Sequence, residues 1–250
     1  MQHQILKRFW ARLNLGHKLR KVVFLHIQKT AGTSIVEFFA KHYYGSWISH
    51  LDYSEKSIEN LRCPLFISGH FGYDYASQWM HDRFSFTFLR SPEDRIVSFY
   101  YYCRSCNPQQ YEVYQLAHSL TLDEFLDFGI SDWRVKPYIW NHQTWQIALG
   151  WGNRHHKRLF EFPENELIQM ALKNIKTFDY IGLKENFNVD FGRIVTMLGL
   201  PYSGAAPKVN AARRTSVAPL PDSTIQKLRN LTMLDRVLYE EVCRFRGVSS

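Results

Sequence analysis

The chain has 250 residues, of which 45% are hydrophobic, and carries a formal net charge of +8 with a pI near 9.3. No Pro-, Gly- or Ser-rich linker divides it, so we expect a single domain over residues 21–250 after a basic N-terminal segment, residues 1–20. The positive charge favours an anionic ligand or partner, whether a nucleotide, an acidic glycan, a nucleic acid or a membrane surface. The sequence contains no apolar run long enough to cross a membrane and only four cysteines, which excludes a disulfide scaffold and predicts a cytoplasmic, reduced protein. Residues 1–12 fit either a packed terminal helix or a basic amphipathic helix touching a membrane surface.

The first predicted element is a buried strand at residues 22–27 that runs into a loop containing Lys29. Apolar residues 35, 38 and 39 follow at helical spacing, so the loop opens a helix. Backbone N–H groups and the positive end of the helix converge at such a loop, and the lysine adds a full charge, which predicts a phosphate site. Lys29 precedes Gly32, whereas the lysine of an ATP-binding loop follows its last glycine. This order favours a 5′-phosphate that carries another transferable group.

Two further predicted strands end in polar residues. Residues 64–68 lead to His70, and residues 84–89 lead to Arg90. In an open parallel sheet the ligand binds at the carboxyl ends of the strands. We therefore expect His70 and Arg90 to face the same crevice as Lys29.

The rest of the chain is predicted to be mainly helical, with one more strand. Ser91 followed by Pro92 is a helix start, with serine as the N-cap. Alternating strands and helices predict an α/β fold with a mainly parallel sheet flanked by helices. The remaining predicted elements are aromatic helices within residues 107–160 that cover the crevice, a helix at 164–176, a strand at 178–183, and helices at 187–198 and 222–246.

Cys103 and Cys106 form a Cys-x-x-Cys pair within a predicted helix. No second pair completes a zinc site, so we interpret both as reduced thiols. A redox role stays open as an alternative, because the neighbouring Arg104 could lower a thiol pKa.

Three segments together resemble a known family, the sulfotransferases, and in particular its carbohydrate branch, which includes the heparan sulfate 2-O- and 6-O-sulfotransferases. Residues 26–34 (HIQKTAGTS) look like that family's 5′-phosphosulfate loop. Residues 86–98 (FTFLRSPEDRIVS) look like its 3′-phosphate motif, in which an arginine and a serine eight residues later bind one phosphate. Residues 180–187 (YIGLKENF) resemble its late strand-to-helix segment. The order and approximate spacing match over residues 21–245.

This resemblance implies a P-loop-like three-layer fold and a donor nucleotide, 3′-phosphoadenosine 5′-phosphosulfate (PAPS). We expect no metal ion, because Lys29, backbone amides and Arg90 meet the charge of the donor and no carboxylate cluster is available to fix magnesium. A donor with phosphate at both ends of its ribose needs two cationic sites, and the two motifs supply them. Ser91 replaces the aspartate that these enzymes often have, and the membrane anchor of the Golgi members has no counterpart in this sequence. The residues implied in donor binding are Gln28, Lys29, Thr30, Ala31, Gly32, Thr33, Ser34, Arg90, Ser98 and Asn210.

Sulfonyl transfer needs a base for the acceptor hydroxyl and a positive group for the leaving phosphate. Lys29 suits the second task, and His70 suits the first because histidine titrates near neutral pH and related enzymes place a histidine after the corresponding strand. Glu37 is an alternative base. We expect a hydroxyl acceptor on a saccharide and no nucleic-acid partner.

Side chains that could contact a sugar or an acidic group of the acceptor are Trp133, Trp140, Trp145, Trp151, Arg134, Lys136, Arg213 and Arg214, each of which could equally be structural. Two alternative functions remain. A P-loop-like nucleotide kinase would need an acidic magnesium ligand that we cannot identify. A non-catalytic module binding anionic glycan or nucleic acid would not explain two phosphate motifs at successive strand ends.

Overall fold

A computed structural model describes residues 19–43, 47–51, 64–150, 162–202, 204 and 220–249. In these residues five parallel strands form one sheet with the order β2-β3-β1-β4-β5. Helices flank the sheet, and the predicted α/β fold class is confirmed. The strands are β1 (Val22–Leu25), β2 (Trp47–Leu51), β3 (Phe66–Gly69), β4 (Phe84–Leu89) and β5 (Tyr180–Leu183).

The helices follow the strands in the alternation that a parallel sheet requires. They are α1 (Gly32–His42), α2 (Tyr73–Met80), α3 (Pro92–Ser105), α4 (Glu112–Ser119), α5 (Leu122–Ser131), α6 (Lys136–Ile139), α7 (His142–Ala148), α8 (Glu164–Asn174), α9 (Phe187–Met197), α10 (Asp222–Leu231) and α11 (Met233–Arg246). Short 3₁₀ turns at Ile175–Thr177 and Lys184–Asn186 flank β5. No helix in the described ranges is long and apolar enough to cross a membrane.

The core lies on both faces of the sheet, as the apolar strand runs predicted. Successive residues of β1 point to opposite faces, so Val23 and Leu25 join one apolar cluster while Val22 and Phe24 join the other. The first cluster contains residues of α2, α7, α8 and α11, and the second contains residues of α1 and α9. A third apolar cluster contains residues of the four consecutive helices α3, α4, α5 and α6, together with residues of α10. The carboxyl edge of the sheet is therefore held between well-packed layers.

The predicted helix at 222–246 is two helices, α10 and α11, so this prediction is wrong. Asn141 enters at the break: its backbone N–H donates to the carbonyl of Leu231 at 2.8 Å, and its Oδ1 accepts from the N–H groups of Leu234 at 2.9 Å and Asp235 at 3.3 Å. One distant residue thus satisfies both helix ends, the first with its backbone N–H and the second with its side chain.

Two elements were missed by the sequence analysis. The edge strand β2 pairs in parallel with β3, and α2 follows β3 after a short loop. Gly72 begins this helix in close contact with Gly150, where a Cβ would lie 2.0 Å from the Gly150 Cα. Its lack of a side chain allows the two segments to meet.

Candidate active site

Three of the predicted site residues follow neighbouring strands, β1, β3 and β4, at the carboxyl edge of the sheet. Leu25 of β1 pairs with Gly69 of β3 on one side and with Thr87 of β4 on the other. The segments that follow these strands contain Lys29, His70 and Arg90. Direct contacts described below link the three segments, which therefore meet at one edge of the sheet.

The loop between β1 and α1 is tightly closed. Lys29 and Ala31 have positive φ values of 70° and 76°, and Gly32 lies against the His26 ring, where a Cβ would be 1.8 Å from Nε2. The hydroxyl of Thr30 donates to the carbonyl of Ile27 at 2.8 Å and is buried. Thr30 therefore closes the loop with its side chain. Any contact it makes to a phosphate has to come from its backbone.

The ammonium group of Lys29 lies 3.9 Å from the centre of the Tyr102 ring. Burial, followed by the positive charge of Arg90, lowers the pKa of Lys29 to about 8. A lysine with this pKa is mostly charged at neutral pH and loses its charge just above it.

Both backbone groups of Arg90 hydrogen-bond to the side chain of Gln143. Its N–H donates to Oε1 of Gln143 at 3.0 Å, and Nε2 of Gln143 donates to its carbonyl at 2.9 Å. The guanidinium donates to the carbonyl of Lys29 at 3.2 Å. This contact joins the two cationic segments directly.

The residue after Arg90 is also fixed. Ser91 occupies the N-cap position of α3, but its hydroxyl makes no capping hydrogen bond. Its N–H instead donates to Oε1 of Glu185 at 2.9 Å, and Oε2 of the same carboxylate accepts from the Tyr239 hydroxyl at 3.0 Å. The segment YIGLKENF therefore supports the start of the predicted 3′-phosphate motif.

A buried carboxylate lies behind Gln143. Asp235 of α11 accepts hydrogen bonds from the N–H of Gln143 at 3.3 Å, and from the N–H and hydroxyl of Thr144 at 2.7 and 2.8 Å. Burial raises the pKa of Asp235, which these hydrogen bonds and the charge of Arg95 oppose. Because the carboxylate meets the first turn of α7, it also compensates that helix end.

His70 makes a hydrogen bond that fixes its ring. Its Nδ1 lies 2.9 Å from the carbonyl oxygen of His26, and since a carbonyl only accepts, Nδ1 carries the proton. In the neutral ring the lone pair is then on Nε2, the arrangement that a base needs. Gln146 orients the same carbonyl: its Nε2 donates to His26 at 3.1 Å and to the carbonyl of Phe71 at 2.9 Å.

Lys184 is a third cation at this edge that the sequence analysis did not single out. It follows β5, and both burial and the charge of Arg90 lower its pKa. Its ammonium lies 5.5 Å from the centre of the Phe187 ring. A lysine directly after a predicted strand was the available signal for this residue.

The other predicted site residues differ in their surroundings. Ser34 is buried in the first turn of α1, Thr33 is exposed, and Ser98 is half-buried on α3. Glu37, the alternative base, is half-buried one turn inside α1. Asn210 lies outside the described residues.

The aromatic and basic residues suggested as acceptor contacts also differ in their burial and in their partners. Trp145 is buried and packs against Trp140, with ring centres 6.3 Å apart, while Trp133 is 56% exposed. Arg134 pairs with Asp132 at 2.7 Å. The Lys136 ammonium lies 5.0 Å from the centre of the Trp140 ring, while Trp151, Arg213 and Arg214 lie outside the described residues.

Cys103 is buried, and burial raises the pKa of its thiol. A reactive thiol usually has a lowered pKa, so this environment does not favour the redox alternative. No cluster of three or more His, Cys, Asp or Glu side chains that could hold a metal ion occurs in the part of the chain that the structure describes.

The described residues form a parallel α/β sheet in which a lysine loop, a histidine and an arginine follow neighbouring strands, at the edge where open α/β sheets bind their ligands. The sequence profile of the sulfotransferase family matches residues 17–240. The chain therefore belongs to the sulfotransferase family, and sulfonyl transfer is the reaction class that this membership supports.

Among solved structures, the chain is similar to a sulfotransferase from Alicyclobacillus acidocaldarius, with 13% sequence identity and a TM-score of 0.46. The similarity covers 86% of this chain and 97% of that one. No curated protein matches the chain.

Proposed function

We propose that the protein transfers a sulfonyl group from PAPS to a hydroxyl group of a carbohydrate. The observation that carries this proposal is the junction of two cationic segments, in which the Arg90 guanidinium donates to the carbonyl of Lys29 at 3.2 Å. PAPS carries charge at both ends of its ribose. Two linked cationic centres at adjacent strand ends match that charge distribution.

On the donor side, the backbone of residues 28–34 and the Lys29 ammonium bind the 5′-phosphosulfate. Arg90 and Ser98 bind the 3′-phosphate, and Asn210, which lies outside the described residues, is a further contact implied by the resemblance. Lys184 adds positive charge to the same edge. Its closeness to Arg90 is seen in its pKa, which the charge of Arg90 lowers in addition to burial. These assignments extend the resemblance of the three motifs to the geometry of the described residues.

The transfer is an in-line displacement at sulfur. A bond forms between the acceptor oxygen and sulfur while the bond from sulfur to the 5′-phosphate oxygen breaks. His70 takes the hydroxyl proton on Nε2, and Lys29 stabilises the negative charge that grows on the leaving phosphate. The bond from His70 to the His26 carbonyl supports this role because it places the proton on Nδ1.

The carbohydrate acceptor rests on the resemblance to the glycan-modifying branch and on the positive charge of the chain. Trp133 and Tyr111 expose 56% and 53% of their surface, and such rings can pack against the apolar face of a sugar. A net charge of +8 also favours an acidic glycan.

Thermal-shift measurements with 3′-phosphoadenosine 5′-phosphate (PAP), AMP, ATP with magnesium, and heparin test the proposal. We expect PAP to stabilise the protein most and AMP much less. Transfer of labelled sulfonyl from PAPS to desulfated heparin then tests the reaction. Stabilisation by ATP with magnesium above that by PAP would favour a kinase, and stabilisation by heparin alone would favour a binding module.

A further inference from the structure

The ring beneath the Lys29 ammonium belongs to Tyr102, near the end of α3. The distance of 3.9 Å from the ammonium nitrogen to the ring centre is well within the range of a cation–π interaction. Lys29 and Tyr102 come from different elements, the loop after β1 and the helix after β4. The contact therefore depends on how α3 packs over the loop.

Tyr102 is held from its other side. Its ring meets that of Tyr114 of α4 edge to face, with centres 6.1 Å apart. Tyr111 packs edge to face on Tyr114 in turn, at 5.1 Å. The ring that receives the ammonium is thus part of a tyrosine cluster, although 39% of Tyr102 remains exposed.

The other groups that act on Lys29 do not supply an equivalent partner. Arg90 and Arg95 repel the ammonium, and Cys103, whose pKa burial raises, is an uncharged thiol that cannot balance it. Within the described ranges Lys29 makes no ion pair with a carboxylate. The face of Tyr102 is the attractive surface that the structure places against this charge.

A lysine side chain has several rotatable bonds, so its head group needs a surface to define its position. We propose that Tyr102 is a positioning residue for Lys29: its ring holds the ammonium beside the phosphosulfate loop and thereby aligns it with the leaving phosphate. This inference rests on the proposed function for its effect on turnover. The placement of the ammonium is independent of that function and can be tested without it.

The first measurement is the acetylation rate of Lys29 by an N-hydroxysuccinimide ester at neutral pH, followed by peptide mass spectrometry and normalised to the exposed Lys41. We expect Tyr102→Leu to raise this rate several-fold, because the covering ring is removed. Tyr102→Phe keeps the ring and should stay close to wild type. Tyr101→Leu changes the neighbouring exposed tyrosine and is the matched control, and circular dichroism verifies that each variant is folded.

The second measurement is turnover with PAPS, together with the dissociation constant of PAP by calorimetry. Tyr102→Leu should lower kcat about tenfold, the size of one cation–π contact in a partly desolvated site, and change the PAP dissociation constant by less than about twofold. Tyr102→Phe should restore most of the rate. In a Lys29→Ala background, Tyr102→Leu should have no further effect, because a positioning residue acts only through its partner.

The outcomes separate the two proposals. An unchanged acetylation rate in Tyr102→Leu would overturn the placement of Lys29 by this ring. If Tyr102→Leu lowers kcat by the same factor in the Lys29→Ala background as in the wild type, Tyr102 does not act through Lys29, and the positioning role is overturned. If the wild-type protein transfers no sulfonyl group to any acceptor tested, the proposed function fails, and the acetylation rates alone decide whether Tyr102 positions Lys29.

Discussion

The Nδ1 atom of His70 donates to the main-chain carbonyl of His26 across 2.9 Å, and the two rings lie with centres 4.3 Å apart. This bond links the end of β3 to the start of the phosphate loop after β1. It fixes the orientation of the His70 ring and the nitrogen that is available as a base. The position of His70, the proposed general base, is therefore set by the backbone that leads into the proposed donor loop.

Replacement of His70 by alanine should remove the base and leave the donor site intact. We expect His70→Ala to reduce turnover by about two to four orders of magnitude, the usual contribution of general-base catalysis, with near-normal affinity for PAP. His81→Ala is the control, because its side chain is 77% exposed after α2. A rate close to wild type would transfer the role to another group such as Glu37. Loss of PAP binding together with the rate would make His70 structural.

The 3′-phosphate assignment predicts nucleotide selectivity. Wild-type protein should bind PAP more tightly than AMP, and Arg90→Gln should lose most of this preference. Loss of a charged hydrogen-bond partner costs about 1.5–3 kcal/mol, or roughly ten- to a hundredfold in affinity. Calorimetry with both nucleotides measures the ratio, and the exposed Arg229→Gln on α10 is the control. Equal affinities of the wild-type protein for PAP and AMP would contradict the assignment.

The lowered pKa of Lys29, about 8, predicts how turnover and stability depend on pH. The ratio kcat/KM for PAPS, which reports the pKa of the free protein, should fall as pH rises through about 8. Stability has the opposite trend at this residue: between about 8 and 10.5 the unfolded chain keeps its proton while the folded protein has lost it, so stability rises with pH over that window.

Lys29→Met tests both effects in one variant. We expect a folded protein with very low turnover and a midpoint of thermal unfolding that is a few degrees higher than wild type at pH 7, because a buried charge has been removed. The gain should shrink at pH 10. Lys41→Met, at the exposed end of α1, should change neither property. A midpoint that falls at pH 7 would show that burial of the ammonium is not a cost to the fold.

Gln143 should influence the donor site without contacting the donor. Gln143→Leu removes both hydrogen bonds to the backbone of Arg90 and leaves that N–H and carbonyl without these partners, which costs about 1–3 kcal/mol of stability. The preference for PAP over AMP should fall in parallel. Urea unfolding and calorimetry measure the two effects, with the exposed Gln226→Leu as control. Unchanged selectivity in a destabilised variant would limit Gln143 to a structural role.

Transfer should not require a divalent metal ion, because Lys29, Arg90 and Lys184 supply positive charge at the donor edge. We expect turnover to persist in EDTA. Complete loss on chelation, with recovery on addition of magnesium, would count against this mechanism and favour the kinase alternative.

Local sequence determined the strands and the order in which the polar residues follow them. The apolar run FSFTFL predicts a strand at 84–89, and β4 has these bounds. Since parallel strands place their carboxyl ends at one edge, the positions of Lys29, His70 and Arg90 after three strand runs were enough to predict that their segments meet. Period, strand propensity and helix starts are properties of neighbouring residues, which a sequence displays directly.

Only the tertiary structure decided what surrounds these residues. Gln143 and Arg90 are 53 positions apart, and Gln146 and His26 are 120 apart, yet their hydrogen bonds hold the backbone of Arg90 and the carbonyl that binds the His70 ring. The break between α10 and α11 likewise depends on Asn141, which is 93 positions from Leu234. Such contacts follow from the packing of whole elements, and the burial that lowers the pKa of Lys29 exists only once they are packed. No local pattern shows which distant side chain meets a given carbonyl, because many different side-chain pairings are compatible with the same hydrophobic period and the same composition.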